Sequence, residues 1–214
     1  MNRPRNSGRV SATTLILIIA VAAALGLWFG TRMFGAPVAP RLEAAVLYPV
    51  ARALPAFQLT RSDGKPLTLA DWKDHWTVAF FGYTNCPDVC PTTLAAFKQV
   101  WKLLDATGAA NTMRFDFISV DPARDTPELL ARYVAFFDKD FIAATGTDDE
   151  LTRLTRALGL VYSIEKSSDN NYAVDHSAAA VIIDPAGHQI GLFRPPFDPT
   201  KMAADLKTLA AGNR

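Results

Sequence analysis

Thr77-Val78-Ala79-Phe80-Phe81 is a continuous apolar run of strand length, with no polar alternation to give it a solvent face. Such a strand is buried on both sides, so it belongs inside a sheet covered by helices rather than at the surface of an open one. The stretch that follows, Phe80-Phe81-Gly82-Tyr83-Thr84-Asn85-Cys86-Pro87-Asp88-Val89-Cys90-Pro91, holds both cysteines of the chain. Beyond it, Leu94, Phe97, Val100, Trp101 and Leu104 recur at helical spacing up to Gly108. Pro91 suits the first position of that helix. Both thiols are therefore expected where a central strand turns into a helix.

The surrounding pattern extends the same layering. Phe57-Gln58-Leu59-Thr60 and Pro66-Leu67-Thr68-Leu69 alternate about Ser62-Asp63-Gly64, a β-hairpin signal, and Ala70-Asp71-Trp72 reads as one helical turn. Arg114–Val120 is a second central strand. Asp125-Thr126-Pro127-Glu128 opens a helix carrying Leu129, Leu130, Tyr133, Phe136 and Phe137. Phe141–Ala144 is a short strand, 148–158 a helix closed by Gly159, and Val161–Ile164 extended. Ser167–Tyr172 is a polar loop. Ala179–Ile183 and Gln189–Phe193 form a hairpin through Asp184-Pro185-Ala186-Gly187, and 198–211 is the last helix. This order predicts an α/β fold with a mixed central sheet flanked by helices, preceded by an N-terminal β-hairpin. The aromatic set Phe80, Phe81, Phe115, Phe117, Phe136 and Phe137 is expected in the core.

The N-terminus is of another kind. Ala12–Gly30 is 19 residues without a charge, and as a helix it would span roughly 28 Å, close to a bilayer's hydrocarbon core. Arg3, Arg5 and Arg9 precede it, and no Asp or Glu occurs before Glu43. The positive-inside rule then assigns 1–11 to a cytoplasmic tail, 12–30 to a transmembrane anchor, and the bulk of the chain to the outer side. A cleaved signal peptide shares the basic start and apolar middle, but Pro37 and Pro40 crowd the small-residue site around Ala36–Ala39. The Pro- and Ala-rich stretch 31–53 reads as a tether, and 54–211 as the folded domain. The first 30 residues carry three Arg and no acid, leaving 19 basic against 21 acidic residues. That balance argues against a nucleic-acid surface.

Two cysteines separated by three residues close too small a loop to act as a structural staple. The spacing favours redox or metal chemistry, and by itself it does not choose between them. Cys90, at or just before the helix start, is expected to have its thiolate favoured by the backbone N–H groups there. A third ligand would tip the balance towards metal, and three histidines are available. His176, in Tyr172-Ala173-Val174-Asp175-His176-Ser177, ends a polar loop just before the strand at Ala179, where a thioredoxin-like arrangement faces the cysteine-bearing helix start. His75 and His188 read as solvated loop residues. Met113 and Met202 read as core, Asp88 as a solvated loop acid, and Asp121 and Asp125 as caps of the helix that follows them. Tyr83 is placed either to pack or to shield the site.

Four segments in order, Gly82–Pro91, Ser119-Val120-Asp121-Pro122-Ala123-Arg124-Asp125-Thr126-Pro127, Val174–Ser177 and Ile183–Gly187, resemble the Sco/SenC family over about Leu54–Leu209. Its members are membrane-anchored, thioredoxin-like copper proteins that serve cytochrome c oxidase assembly. The resemblance implies that Cys86, Cys90 and His176 bind one copper ion, as Cu(I) or Cu(II), and that oxidation of the two cysteines to a disulfide releases it. It also implies delivery to the CuA site of oxidase subunit II, a copper donor, and a thioredoxin-like reductant as partners. A thiol–disulfide oxidoreductase acting on acceptor cysteines is the alternative within the same family. A peroxidase is disfavoured, because peroxiredoxins usually carry Thr or Ser three residues before the reactive Cys, where this chain has Tyr83.

Overall fold

The computed structural model describes residues 11–34, 42–164 and 172–212, and the chain divides into two compact units, Met1–Pro40 and Arg41–Arg214. The first unit contains helix α1 (Ala12–Phe34), 23 residues of apolar and small side chains, long and apolar enough to cross a membrane. It runs four residues past the uncharged segment because Thr31 and Arg32 cost a helix little.

The second unit is built on an eight-stranded sheet. Its strands, in chain order, are β1 (Ala45–Ala53), β2 (Gln58–Arg61), β3 (Pro66–Thr68), β4 (Trp76–Gly82), β5 (Met113–Ser119) and β6 (Ile142–Thr145), then β9 (Ala180–Ile183) and β10 (His188–Phe193). Between them, β7 (Tyr162–Ile164) and β8 (Val174–His176) pair, among the described residues, only with each other, as a separate two-stranded ribbon. The spatial order is β1-β10-β9-β4-β5-β6-β2-β3, with β4–β5 and β5–β6 parallel and the rest antiparallel. The helices are α2 (Val89–Asp105), α3 (Pro127–Phe137), α4 (Asp148–Ala157) and α5 (Pro199–Gly212). The mixed sheet flanked by helices is as expected.

Every residue of β4 is buried, as its unbroken apolar pattern requires. On one face Phe97 of α2 meets Phe80 and Phe115, and Tyr133 of α3 meets Phe117. Both crossovers lie on that face because successive right-handed β-α-β units advance in one direction across the sheet. On the other face the carbonyl of Leu158, at the end of α4, accepts from the Gln189 amide at 3.1 Å. Phe136 departs from expectation: it is 80% exposed. The buried positions of α3 are Leu130, Val134 and Phe137, an i, i+4, i+7 stripe that turns Phe136 outward.

The tether read over 31–53 is corrected at its C-terminal half. β1 is an edge strand of the main sheet, paired antiparallel with β10 (Ala45 with Phe193, Ala53 with His188). Its side chains are mostly exposed, so backbone pairing holds it and no hydrophobic alternation betrays it. Two features fasten its start. The buried Asp205 of α5 accepts from the backbone N–H groups of Glu43, Ala44 and Ala45 at 2.8 to 3.1 Å. Gly191 lets β1 approach, since a Cβ there would lie 2.9 Å from Leu47 Cα.

Candidate metal centre

The cysteine half of the site is a short loop fixed at both ends. β4 ends at Gly82, whose carbonyl accepts from Val120 N at 2.9 Å. Tyr83 is buried and Thr84 half-buried. Cys86 N–H donates to the Tyr83 carbonyl at 3.4 Å, closing a turn. Helix α2 begins at Val89, two residues before Pro91, so Cys90 lies in its first turn with Pro91 next, where no helical N–H is needed. The Cys90 N–H points at Cys86 Sγ (3.4 Å). Both thiols are free; Cys86 is half-buried and Cys90 fully buried.

The histidine half comes from the ribbon. His176 ends β8 opposite Tyr162 of β7, and Ser177 N–H then donates to the Val161 carbonyl at 2.9 Å. Its ring is held edge-on by Phe80 (5.7 Å) and Tyr83 (6.0 Å). Nδ1 donates to the Ser177 carbonyl at 3.2 Å. A carbonyl only accepts, so the proton is on Nδ1 and the Nε2 lone pair is free. Nε2 lies 3.4 Å from Cys90 Sγ across 86 residues of sequence. Cys86, Cys90 and His176 each offer one ligand atom, and the three atoms lie within 4.8 Å of one another. Two sulfurs and an imidazole nitrogen make a soft donor set, suited to Cu(I), Cu(II) or Zn and not to oxygen-seeking cations.

Burial sets the electrostatics. It pushes the Cys90 thiol well above its ordinary value, with smaller contributions from Cys86 and Asp125. The expected helix-terminus activation of Cys90 is therefore overturned: removing a thiolate from water costs more than the first turn's N–H groups return. Burial likewise holds His176 below its ordinary 6.5, keeping the imidazole neutral. A bound cation reverses the balance for the sulfur, because a coordinated thiol is deprotonated outright.

Asp121 and Asp125 do not cap α3. Thr126 does, accepting from Leu129 N at 3.3 Å. Both acids are fully buried in the β5–α3 loop, and they hold the two halves of the site. Asp125 accepts from Thr84 N (2.9 Å), Thr84 Oγ1 (2.6 Å) and Ser119 Oγ (2.5 Å), pinning the cysteine loop. Asp121 pairs with Arg124 and accepts from Tyr172 Oη at 2.7 Å. Arg124 also donates to the Tyr172 carbonyl (2.9 Å) and covers that ring at 3.7 Å. Tyr172 leads into β8, so this clamp locates His176. Acids after a central strand are a visible signal, but their partners, 41 and 51 residues away, are not.

The remaining sequence candidates lie elsewhere. His75 precedes β4 at the end of the strand opposite Gly82; it is half-buried, with Nε2 3.0 Å from both the Asp71 carbonyl and Arg114 Nη1, so it is not a solvated loop residue. His188 opens β10 at that same end, half-exposed. Met113 and Met202 are buried in the core, and Asp88 is exposed. Of the polar loop 167–172, only Tyr172 falls within the described residues.

Residues 48–211 match the family described as SCO1/SenC. The mitochondrial SCO1 homolog of Homo sapiens is 32% identical over 209 residues, 96% of this chain and 69% of that protein. The copper-bound structure of Bradyrhizobium japonicum ScoI is 34% identical with a TM-score of 0.67, covering 73% of this chain and 98% of its own. Apo Sco1 from Thermus thermophilus is 29% identical with a TM-score of 0.71, covering 81% and 99%. The fold is thus the thioredoxin-like fold of those structures. A buried strand, a paired-cysteine loop at its end and a distant histidine brought against it agree with the whole-domain match, and the chain belongs to the SCO1/SenC family.

Proposed function

We propose that this protein takes up one copper ion through Cys86, Cys90 and His176 and delivers it to the CuA site of cytochrome c oxidase subunit II. The observation that carries this is the convergence of those three donor atoms within 4.8 Å, two from one loop and one from a separate ribbon. Copper-bound relatives with this fold support copper over zinc as the cargo. Three ligands leave a trigonal site with an open side, through which a recipient's ligands enter one at a time while these leave. The chain's 1–11 tail is cytoplasmic, the apolar helix spans the inner membrane, and the domain works on the outer side, a reading supported by Arg3, Arg5 and Arg9 before the helix. A copper donor and a thioredoxin-like reductant are its other partners, the second because loss of two electrons and two protons from Cys86 and Cys90 makes a disulfide that cannot ligate.

A thiol–disulfide exchange role with acceptor cysteines is the second reading, favoured by two free thiols with Cys86 the more accessible. Anaerobic loading of the purified protein with Cu(I) and with Cu(II) separates the two. One copper per chain is expected in the wild type and none in Cys86→Ala, Cys90→Ala or His176→Ala, with the thiolate-to-copper absorption lost in all three. His176→Ala is expected to retain dithiol reductase activity. Unchanged copper affinity in that variant overturns the delivery reading.

A further inference from the structure

Gly82 is the last residue of β4 and fully buried. Its φ is not positive, so no backbone conformation demands glycine there. Space does. A Cβ at this position would lie 2.5 Å from Cys90 Sγ, 3.1 Å from Phe117 Cε2 and 3.3 Å from Phe80 Cε1. Real Cβ atoms essentially never come so close to another heavy atom, so something must move. Phe80 and Phe117 are locked in the core, at 0% and 1% exposure, and pack against Phe97 and Tyr133. The sulfur is the mobile party.

We infer that Gly82 is a positioning residue of the metal centre: its missing side chain is the seat of Cys90 Sγ, and it aims that sulfur at His176 Nε2. This rests on the ligand assignment made above. A side chain at 82 would rotate the thiol off its 3.4 Å approach to the imidazole, leaving both cysteines present but divergent. Backbone pairing stays intact, because Gly82 pairs with Ser119 through main-chain atoms that alanine also has.

The test is a double-mutant cycle on the full chain in detergent, with thermal unfolding and Cu(I) competition against a chromophoric chelator as readouts. Gly82→Ala is expected to weaken Cu(I) binding about 10- to 100-fold, the usual range when a ligand's support is disturbed, with two titratable thiols retained. It is also expected to lower the melting temperature of metal-free protein when Cys90 is present, and much less in a Cys90→Ala background, where the clashing atom is gone. The second comparison holds even if Gly82→Ala alone fails to fold, because the double variant is then expected to recover. An equal loss of stability in both backgrounds overturns the inference, as does wild-type Cu(I) affinity in folded Gly82→Ala. Wild-type protein that takes up no copper sinks the ligand assignment instead, and leaves the stability cycle to be judged separately.

Discussion

The two halves of the metal centre are held in different ways. Cys86 and Cys90 follow β4, a central strand paired on both sides and buried along its whole length. His176 ends a three-residue strand in a ribbon that, among the described residues, shares no hydrogen-bonded ladder with the main sheet. The cysteines therefore inherit the rigidity of the core. The histidine depends on a few fastenings: the buried Tyr172 and Val174 just before it, the Asp121–Arg124–Tyr172 clamp, Ser177 against Val161, and its ring against Phe80 and Tyr83. A three-ligand site with one ligand on a separable arm loosens from one side. That asymmetry suits the delivery role proposed above.

The most direct way to break this comparison is hydrogen exchange. Amides of β4 and β5 are expected to exchange only on global unfolding, and those of β7 and β8 by local opening, several orders of magnitude faster. Equal protection in the two regions removes the asymmetry. Next in size is Asp125→Ala, which strips acceptors from Thr84 and Ser119 in a buried setting. Each bond to a charged acceptor is worth about 1.5–3 kcal/mol, and three bonds sharing one carboxylate add less than fully, so a loss of about 3–5 kcal/mol is expected in urea unfolding. A loss under about 1 kcal/mol would mean the cysteine loop is held by something else.

The pH dependence is smaller and signed. With the Cys90 thiol held up by burial, metal uptake at neutral pH expels its proton, so apparent affinity rises with pH, by up to about tenfold per unit for each proton released. His176, held down by burial, stays neutral and adds no competing proton until below its ordinary 6.5. In metal-free protein the Cys90 contribution to stability is present below the unfolded thiol value of 9.0 and is lost as pH rises past it, since the folded state still holds its proton. Metal competition titrations and melting curves across pH check both signs. The smallest effect is Tyr172→Phe, which removes a single bond to the Asp121 carboxylate, at the low end of about 1.5–3 kcal/mol. Faster copper release is expected with little change in the exchange of β4, and a change in both would show that the halves are not independent.

Much of this layout is legible in the sequence, for identifiable reasons. The unbroken apolar run of β4 and the 3.6-residue stripes of α2 and α3 state which surfaces must be covered. The turn residues at Ser62-Asp63-Gly64 and Asp184–Gly187 state where the hairpins close. The thiol pair sits in one loop, so its spacing is visible directly. β1 escaped because an exposed edge strand is held by backbone pairing and by Asp205, neither of which patterns side chains. Phe136 reads as core beside Phe137 until the phase of the whole helix, set by Leu130, Val134 and Phe137, is known.

The sequence by itself determined the layered α/β fold and the apolar N-terminal helix, and its family motifs singled out Cys86, Cys90 and His176 as the candidate ligands. Only the tertiary structure decided that Cys90 is a buried, proton-holding thiol instead of an activated one. It alone brought His176 to 3.4 Å of that sulfur, and made Gly82 the space the sulfur occupies. The reason is physical. Desolvation, hydrogen-bond partners and free volume belong to the surroundings of an atom, and here the hydrogen-bond partners lie 41 to 86 residues away.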